Sequence, residues 1–337
     1  MQSVSTSPGT APKSPATVHD YIRIARFEHM TKHVFIVPGI VLAFLLRGGD
    51  LDAAVAWNVI VGFLSAIFVA SANYVINEYL DRDFDRFHPE KSQRSAVQRE
   101  MSGKIVVVEY LVLLVLGLGL AATVNTVFFW AALLLAISGV TYNVNPLRTK
   151  DRIYLDVLSE SLNNPLRLLM GWAMIDGQTL PPVSLFLAFW FGGAFLMNSK
   201  RLAEYRDIVA SDGREILGRY RRSFRAYTEE RLTIANLVYA LSCSFFMAIF
   251  LIKYRIEYIL LFPCIVVLFA IYYHLALTPD SVARKPEKLY EARPLIATVV
   301  VTSLVFLGAT FIDIPQIETL SSQQYIQLPA GDAAPLR

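Results

Sequence analysis

The chain has 337 residues, of which 55% are hydrophobic and 18% are charged, with a formal net charge of +3. Its mean hydropathy of +0.45 exceeds that of soluble domains. This excludes an ordinary soluble protein and predicts a polytopic membrane protein that contacts membrane lipids and no nucleic acid. Cys243 and Cys264 fall in apolar runs and are too few for a disulfide framework or a CxxC metal site.

The two ends differ from the rest of the chain. Residues 1–18 are rich in Ser, Thr, Pro and Ala, and no apolar run follows within the first 30 residues. We therefore expect a disordered tail there rather than a cleaved secretory signal. Residues 314–337 are predicted to be a second tail, which leaves a single transmembrane domain over 19–313.

The apolar segments predict an all-α fold, because a bilayer span needs about 20 mostly apolar residues. The first candidate is short and contains Pro38 and Gly39, and Asn163-Asn164-Pro165 is predicted to break the fifth. The nine predicted spans are 33–47, 53–77, 105–124, 126–144, 153–175, 182–199, 232–252, 256–277 and 294–313.

The basic residues support this count of nine. The four loops from even to odd spans carry 22 Lys and Arg residues, whereas the other four loops carry three, with Arg47 at the end of the first span counted among them. The positive-inside rule then predicts that the N-terminus and the four basic loops lie in the cytoplasm.

The first charged region is NEYLDRDFDRFHPEKSQR, residues 77–94, directly after an apolar span. Asn77, Asp81 and Asp85 are four residues apart, so on a helix they lie along one face. This register favours a hard cation such as Mg²⁺, which few carboxylates hold and which phosphates and water complete. A solvated helix end with alternating charge is the simpler alternative. The bases that follow would pair with phosphate oxygens: Arg86, His88, Lys91 and Arg94.

The second charged region, NSKRLAEYRD, begins where the sixth predicted span ends. Lys200 and Arg201 stand at that helix end, and Glu204 follows one turn later. Two bases at this point favour an anion-binding surface. The alternative is that they only fix the orientation of the chain in the membrane.

The fifth span carries Asp156 and, near its middle, Arg167. A charge inside the bilayer is costly unless it is paired or faces a wet cavity, so we expect Arg167 to line a substrate cavity or to form an ion pair. Asp156 is a further substrate-binding candidate. The segment YNVNPLR places Tyr142 and Arg148 at the predicted cytoplasmic mouth of the cavity.

Two further basic segments invite simpler interpretations. Arg26 and Lys32, in RFEHMTKHVF, could bind a lipid phosphate or only anionic head groups. The run GRYRRSFRAYTEER, residues 218–231, is predicted to form an amphipathic helix on the membrane surface.

These motifs resemble the UbiA superfamily of intramembrane prenyltransferases. Asn77-x3-Asp81-x3-Asp85 is similar to the first aspartate-rich motif of that family, with Glu78 where the family usually has Asp. DRFHPEKSQR is similar to the D-R-x-H-P-x-K-x-x-R pattern of the decaprenyl-phosphate phosphoribosyltransferase branch, with Ser95 in place of its usual Pro. KRLAE resembles the K-R-x-A-E segment of that branch, which replaces the second aspartate-rich motif of ordinary members. The resemblance covers about residues 20–313.

The resemblance implies nine helices around a central cavity in a bacterial cell membrane. It implies transfer of 5-phosphoribose from 5-phosphoribose 1-diphosphate, a phosphosugar diphosphate, to an isoprenoid lipid phosphate. Mg²⁺ would bind Asn77, Asp81 and Asp85. The implied catalytic residues are Asp81, Asp85, Lys200 and Arg201, and the implied substrate-binding residues are Lys32, Arg86, His88, Lys91, Arg94, Tyr142, Arg148, Asp156, Arg167 and Glu204.

Two other functions remain open on the sequence. A standard prenyltransferase, which moves an isoprenoid from its diphosphate to an aromatic acceptor, shares the first motif but would carry a second aspartate-rich motif. A transporter would also tolerate broken helices and an intramembrane Arg.

Overall fold

The computed structural model describes residues 13–48, 52–87, 91–278, 289 and 291–321. Within these ranges the chain is all-α and contains no β-strand. The helices are α1 (Val18–Ile24), α2 (Val37–Arg47), α3 (Ala53–Asp85), α4 (Ser95–Gln98), α5 (Gly103–Val124), α6 (Thr126–Asn143), α7 (Leu155–Ser161), α8 (Asn163–Ile175), α9 (Val183–Asp212), α10 (Leu217–Tyr220), α11 (Glu229–Tyr254), α12 (Leu261–Leu277), α13 (Arg293–Phe311) and α14 (Pro315–Ser321). Short 3-10 helices cover Phe27–Ile36, Lys91–Gln93, Thr149–Asp151, Arg214–Ile216, Arg222–Arg225 and Ile256–Leu260.

In the described part of the chain, seven helical segments are long and apolar enough to cross a membrane. They correspond to seven of the nine predicted spans. The segments are α3, α5, α6, α9, α11, the continuous stretch Ile256–Leu277 that includes α12, and α13.

The other two predicted spans are shorter or interrupted. The first is the apolar helix His33–Arg47, which joins the end of a 3-10 segment to α2. The fifth is divided into α7 and α8 at Leu162, beside the predicted break at Asn163-Asn164-Pro165. The count of nine spans therefore stays a prediction.

The predicted tails lie partly outside the described residues. At the N-terminal end the described chain begins at residue 13, and Thr17 caps α1 with its side chain. At the C-terminal end α14 forms within the segment predicted to be a tail.

Two helices are longer than a hydrocarbon layer is thick. Helix α3 has 33 residues and α9 has 30, which correspond to lengths of about 50 and 45 Å at 1.5 Å per residue. The hydrocarbon core is only about 30 Å thick. Each helix can therefore cross the membrane and still carry a charged end toward the water, and these ends hold the two charged regions of the sequence.

Helices α2 and α8 approach each other so closely that glycine is required at their contact. A Cβ atom added to Gly171 would lie 2.0 Å from the carbonyl oxygen of Ile36, and one added to Gly39 would lie 2.0 Å from that of Leu168. Both clashes involve backbone atoms, which cannot rotate away. This contact holds α8, which carries Arg167, against the start of the membrane domain.

We predict that Gly171→Ala destabilises the protein by about 1–3 kcal/mol, because the added methyl group overpacks a backbone contact. The matched control is Gly308→Ala in α13, where an added Cβ meets nothing within 4 Å. The control should be neutral or slightly stabilising, since alanine has the higher helix propensity. Thermal unfolding of both variants in the same detergent measures the difference, and equal Tm values would contradict the close contact.

Candidate functional site

A cavity of about 400 Å³ lies among α3, α6, α8 and α9, within the usual volume range of ligand sites. Its wall combines apolar side chains with a group of charged ones. Among the described lining residues, seven are cationic and four are acidic, which favours an anionic ligand. They are Arg26, Lys91, Arg94, Arg167, Lys200, Arg201 and Arg221, and Asp81, Asp85, Glu160 and Glu204.

Asp81 is held by two bases from the loop after α6. Its Oδ1 lies 3.0 Å from Arg148 Nη2 and 2.5 Å from Lys150 Nζ, and its Oδ2 accepts a 3.2 Å hydrogen bond from Asn77 Nδ2. Lys150 and Asn77 also both donate to Asn143 Oδ1, at 2.7 Å each. This network orients the face of α3 that carries Asn77 and Asp81, and both side chains line the cavity.

Asp85 pairs with Arg94, and both line the cavity beside Lys91. Burial lowers the pKa of Lys91 to about 8, although the nearby Glu204 and Asp85 oppose this shift. Burial likewise lowers the pKa of Lys150 to about 8, against the opposing effect of Asp81. These two lysines therefore change charge near the upper end of the physiological pH range.

Glu78 makes contacts different from those of Asp81 and Asp85. It is buried and accepts from Arg26 Nη2 at 2.6 Å and from the backbone N–H of Ala96 at 3.4 Å. The larger acidic residue at this family position therefore ties α3 to the segments before α2 and after α3.

In the second charged region, Arg201 lies among three carboxylates. Its guanidinium is 3.6 Å from Asp156, 2.8 Å from Glu160 and 3.1 Å from Glu204. The side chain is only 3% exposed. Arg201 thus joins α7 to α9, while its neighbour Lys200 lines the same cavity.

Asp156 is fully buried and collects donors from the segment between α9 and α11. Its Oδ1 accepts from Tyr227 Oη at 2.7 Å, and its Oδ2 accepts from Ser223 Oγ at 3.0 Å. Arg221 Nη1 lies 3.4 Å from Oδ2. The prediction of a surface helix over 218–231 is wrong, because these contacts draw the segment inward as short turns. Tyr142 extends the network by donating to Glu160 at 2.8 Å and accepting from Arg221 at 3.3 Å.

Arg167 lines the cavity, and no acidic side chain of the described residues pairs with it. It is buried, and its one described hydrogen bond runs from Nη1 to the backbone oxygen of Asn163 in its own helix, at 3.5 Å. Its Nε has no hydrogen-bond partner within the described part of the chain. No ion pair of Arg167 is present among the described residues, and Asp156, the other charge of the fifth span, pairs elsewhere. A buried guanidinium with so little compensation favours an anionic ligand.

A model of the UbiA prenyltransferase family matches residues 35–311. The chain belongs to the UbiA prenyltransferase family. With the seven apolar helices, this membership makes it an integral membrane protein. The predicted transferase is confirmed at the level of the family, whereas the phosphoribosyltransferase branch stays a prediction.

Two curated relatives match shorter stretches. The nodulation protein NoeC of Azorhizobium caulinodans is 31% identical over 205 residues, which are 59% of this chain and 62% of the relative. A 4-hydroxybenzoate octaprenyltransferase of Pectobacterium carotovorum is 29% identical over 110 residues, 33% of this chain and 38% of the relative. Each match spans less than two thirds of the relative's length.

A solved structure of a UbiA homolog from Archaeoglobus fulgidus bound to GPP and Mg²⁺ has the same fold. Its TM-score is 0.64 at 22% identity, over 87% of this chain and 98% of that one. The predicted all-α, UbiA-like fold class is confirmed.

The donor set in the cavity suits a metal ion that is shared with a ligand. Among the described residues there is no group of three or more His, Cys, Asp or Glu side chains that could hold a metal ion. Asp81 and Asp85 provide two carboxylates, and both described hydrogen bonds of Asn77 use Nδ2, which leaves Oδ1 as an acceptor. Mg²⁺ is commonly bound by one or two carboxylates together with substrate phosphates. The residues fit that mode and not an all-protein cage.

The remaining predicted residues lie outside the cavity or outside the described part. Arg86 is exposed, with its guanidinium 4.7 Å from the ring centre of Phe87, and it is not among the lining residues. His88 lies outside the described residues. Lys32 lies in the 3-10 segment before α2, and its side chain is outside the described part. Arg148 and Asp156 do not line the cavity, but each forms an ion pair with a residue that does.

Three participants were not predicted. Lys150 follows two residues after Arg148 in the same loop, and this spacing could have suggested a second base on Asp81. Glu160 lies one helical turn after Asp156, so a shared face was foreseeable. No sequence feature distinguished Arg221 from the neighbouring bases of its run, and those neighbours are exposed in the structure.

We predict that Arg167→Leu leaves the ligand-free protein folded with an unchanged or higher Tm, because it removes a buried charge without an acidic partner. Affinity for sulfate should fall about tenfold or more, since a charged hydrogen bond is lost. Thermal unfolding and sulfate titration measure both effects. Arg23→Leu on the exposed surface of α1 is the control. A variant that unfolds would instead assign Arg167 a role in the fold.

The lowered pKa values of the two lysines predict a pH dependence. Below pH about 8 both are protonated, and above it they lose their charge. Affinity for sulfate, which stays doubly charged, should therefore fall as the pH rises from about 7 to about 9. Lys91→Arg should flatten the fall, because a guanidinium stays protonated. A flat wild-type profile measured by titration calorimetry would contradict the prediction.

Proposed function

We propose that the protein transfers a 5-phosphoribosyl group from 5-phosphoribose 1-diphosphate to a polyprenyl phosphate. The products are polyprenyl-phosphoryl 5-phosphoribose and diphosphate. The observation that carries this proposal is the excess of cationic over acidic residues around the cavity. Donor and acceptor are both anions, so a site that holds them together needs such an excess.

The second charged region supports the same choice of substrates. By the family resemblance, a standard member would carry carboxylates at the end of α9 for a second cation. Here Lys200 and Arg201 stand at that place, and both line the cavity. A lipid phosphate gains from these bases, whereas an aromatic acceptor such as 4-hydroxybenzoate carries only a single carboxylate charge and gains less.

The apolar part of the wall is suited to an isoprenoid chain. Val34, Phe35, Leu135, Leu196 and Met197 line the cavity together with the charged group. Their position orients a lipid with its chain against the apolar side chains and its phosphate toward the bases.

The proposed reaction needs no strong general base. The bond between C1 of the sugar and the diphosphate oxygen breaks, and its electron pair leaves with the diphosphate. An oxygen of the lipid phosphate forms the new bond to C1. That oxygen already carries negative charge, so no proton has to be removed. Lys91, Arg94 and Lys200 stabilise the phosphate charges as the old bond breaks.

Asp81 and Asp85, with the Asn77 amide oxygen, would hold Mg²⁺ jointly with the donor, where the ion neutralises charge on the leaving diphosphate. Arg148 and Lys150 fix the orientation of Asp81, and Arg94 fixes that of Asp85. The excess of basic residues in the loops beside the cavity supports a cytoplasmic mouth, and we propose that the membrane is a bacterial cell membrane.

Prenyl transfer to an aromatic acceptor is the second candidate. Membership in a prenyltransferase family and the match to an octaprenyltransferase favour it. The transporter alternative loses support for the same reason.

The deciding experiment is a transfer assay on the detergent-purified protein. One tube holds labelled 5-phosphoribose 1-diphosphate and polyprenyl phosphate, with or without Mg²⁺. A second holds polyprenyl diphosphate and 4-hydroxybenzoate. We expect Mg²⁺-dependent label in the lipid phase of the first tube. A prenylated aromatic in the second tube, with unlabelled lipid in the first, would replace our proposal by the second candidate.

Two variants of one helix serve as controls for this assay. Asp85→Asn should lower transfer by about 100-fold or more, because it removes a carboxylate from the proposed metal site. Asp83→Asn changes an exposed carboxylate two residues away and should leave transfer unchanged. Equal activity of the two variants would refute the assignment of Asp85.

A further inference from the structure

The segment between α9 and α11 brings one base into the cavity. It contains four bases close together, of which Arg219, Arg222 and Arg225 are exposed. Arg221 instead lines the cavity, and its side chain is only 20% exposed. The short turns α10 and Arg222–Arg225 give it this direction, which a continuous amphipathic helix would not.

The residues around Arg221 form hydrogen bonds with only one nitrogen of its guanidinium. Nη1 donates to Tyr142 Oη at 3.3 Å and to Asp156 Oδ2 at 3.4 Å. The described hydrogen bonds of this guanidinium use Nη1 alone, so Nε and Nη2 keep their donors for a ligand. A guanidinium has a planar fork of donors that matches the oxygens of a phosphate.

Arg221 lies between the two charged regions. It acts electrostatically on Asp81 and Lys91 from the first region and on Glu160 and Glu204 on the other side of the cavity. Burial lowers the pKa of Arg221, but Tyr142, Asp156 and the two glutamates raise it by more, so Arg221 stays charged. A ligand bound at Asp81 would therefore interact with the positive charge of Arg221.

Asp156 fixes the segment that carries Arg221. It accepts hydrogen bonds from Ser223 and Tyr227, which follow Arg221 in the same segment, as well as from Arg221 itself. Because Asp156 is fully buried in α7, it offers the segment a rigid attachment. Removing the carboxylate would free Arg221 from its position, whereas Arg201 in α9, which also faces Asp156, would keep its ion pairs with Glu160 and Glu204.

We propose that Arg221 is a further donor-binding residue, which contacts the diphosphate group of the donor beside Asp81, and that Asp156 is its positioning residue. The inference rests on the proposed function only in requiring a diphosphate donor. Both candidate reactions release diphosphate, so the inference does not depend on the group that is transferred.

The test measures binding of inorganic diphosphate, with Mg²⁺, to the detergent-purified full chain by titration calorimetry. Arg221→Gln should raise Kd by about tenfold or more, because a charged hydrogen bond to phosphate is lost. Arg219→Gln, two residues earlier and exposed, should bind like the wild type. A folded Arg221→Gln variant with wild-type affinity would overturn the proposal.

Arg221→Lys covers the case in which Arg221→Gln does not fold. It keeps a positive charge opposite Asp156 but loses the fork of donors, so Kd should rise several-fold. Wild-type affinity in this variant would count against the proposal in the same way.

A double-mutant cycle tests the positioning role. Asp156→Asn should weaken diphosphate binding in the wild-type background and add little in the Arg221→Gln or Arg221→Lys background. Additive effects would show that Asp156 acts independently of Arg221 and would overturn this part of the proposal.

The result of the diphosphate-binding experiment can be distinguished from the result of the transfer assay. If phosphoribosyl transfer fails while diphosphate binding still depends on Arg221, the donor was wrongly chosen and Arg221 keeps its role. If transfer succeeds while binding ignores Arg221, only the present inference fails.

Discussion

Charged groups that leave water must find opposite charge, and the site depends on how this chain meets that constraint. Fully buried Asp156 pairs with Arg201 and Arg221, which lie in α9 and in the segment after it. Asp81 pairs with Arg148 and Lys150 in the loop after α6. Each carboxylate joins stretches of chain that are distant in sequence. The polar wall of the cavity is therefore fixed by ion pairs, while the apolar helices fix its depth.

The same constraint separates bases that support the wall from bases that are suited to a ligand. Arg201 is surrounded by three carboxylates, so most of its charge is used within the protein. Arg167 has no such partner among the described residues. Arg201, which the resemblance implied to be catalytic, and Arg167, which it implied to bind substrate, thus differ in what a bound anion would gain from them. The number of acidic partners, more than the position along the chain, distinguishes a base that supports the wall from a base that is suited to a ligand.

Short sequence patterns predicted those features that depend only on the geometry of a single helix. The spacing of Asn77, Asp81 and Asp85 placed them on one helix face, and the Asn-Asn-Pro run foretold the break before α8. The inward position of Arg221 depends on contacts with Asp156, 65 residues away, and a basic run has the same composition on a surface as in a folded loop. The need for glycine at position 171 comes from the close approach of the Ile36 backbone, which is visible only in the packed helices.

The proposed substrates impose a specific electrostatic problem. Two phosphate groups about 4 Å apart repel by about 4 kcal/mol per pair of unit charges where the effective dielectric constant is near 20. A metal ion on the carboxylates of α3 would relieve the charge of the donor, but only from the side of α3. Bases from α9 and from the segment after it face the same space from the other side. A second carboxylate cluster there would need a second cation before it could help, whereas Lys200 and Arg221 offer positive charge directly. By the family resemblance acids would stand at the end of α9, and the bases that stand there instead are what a second anionic substrate would require.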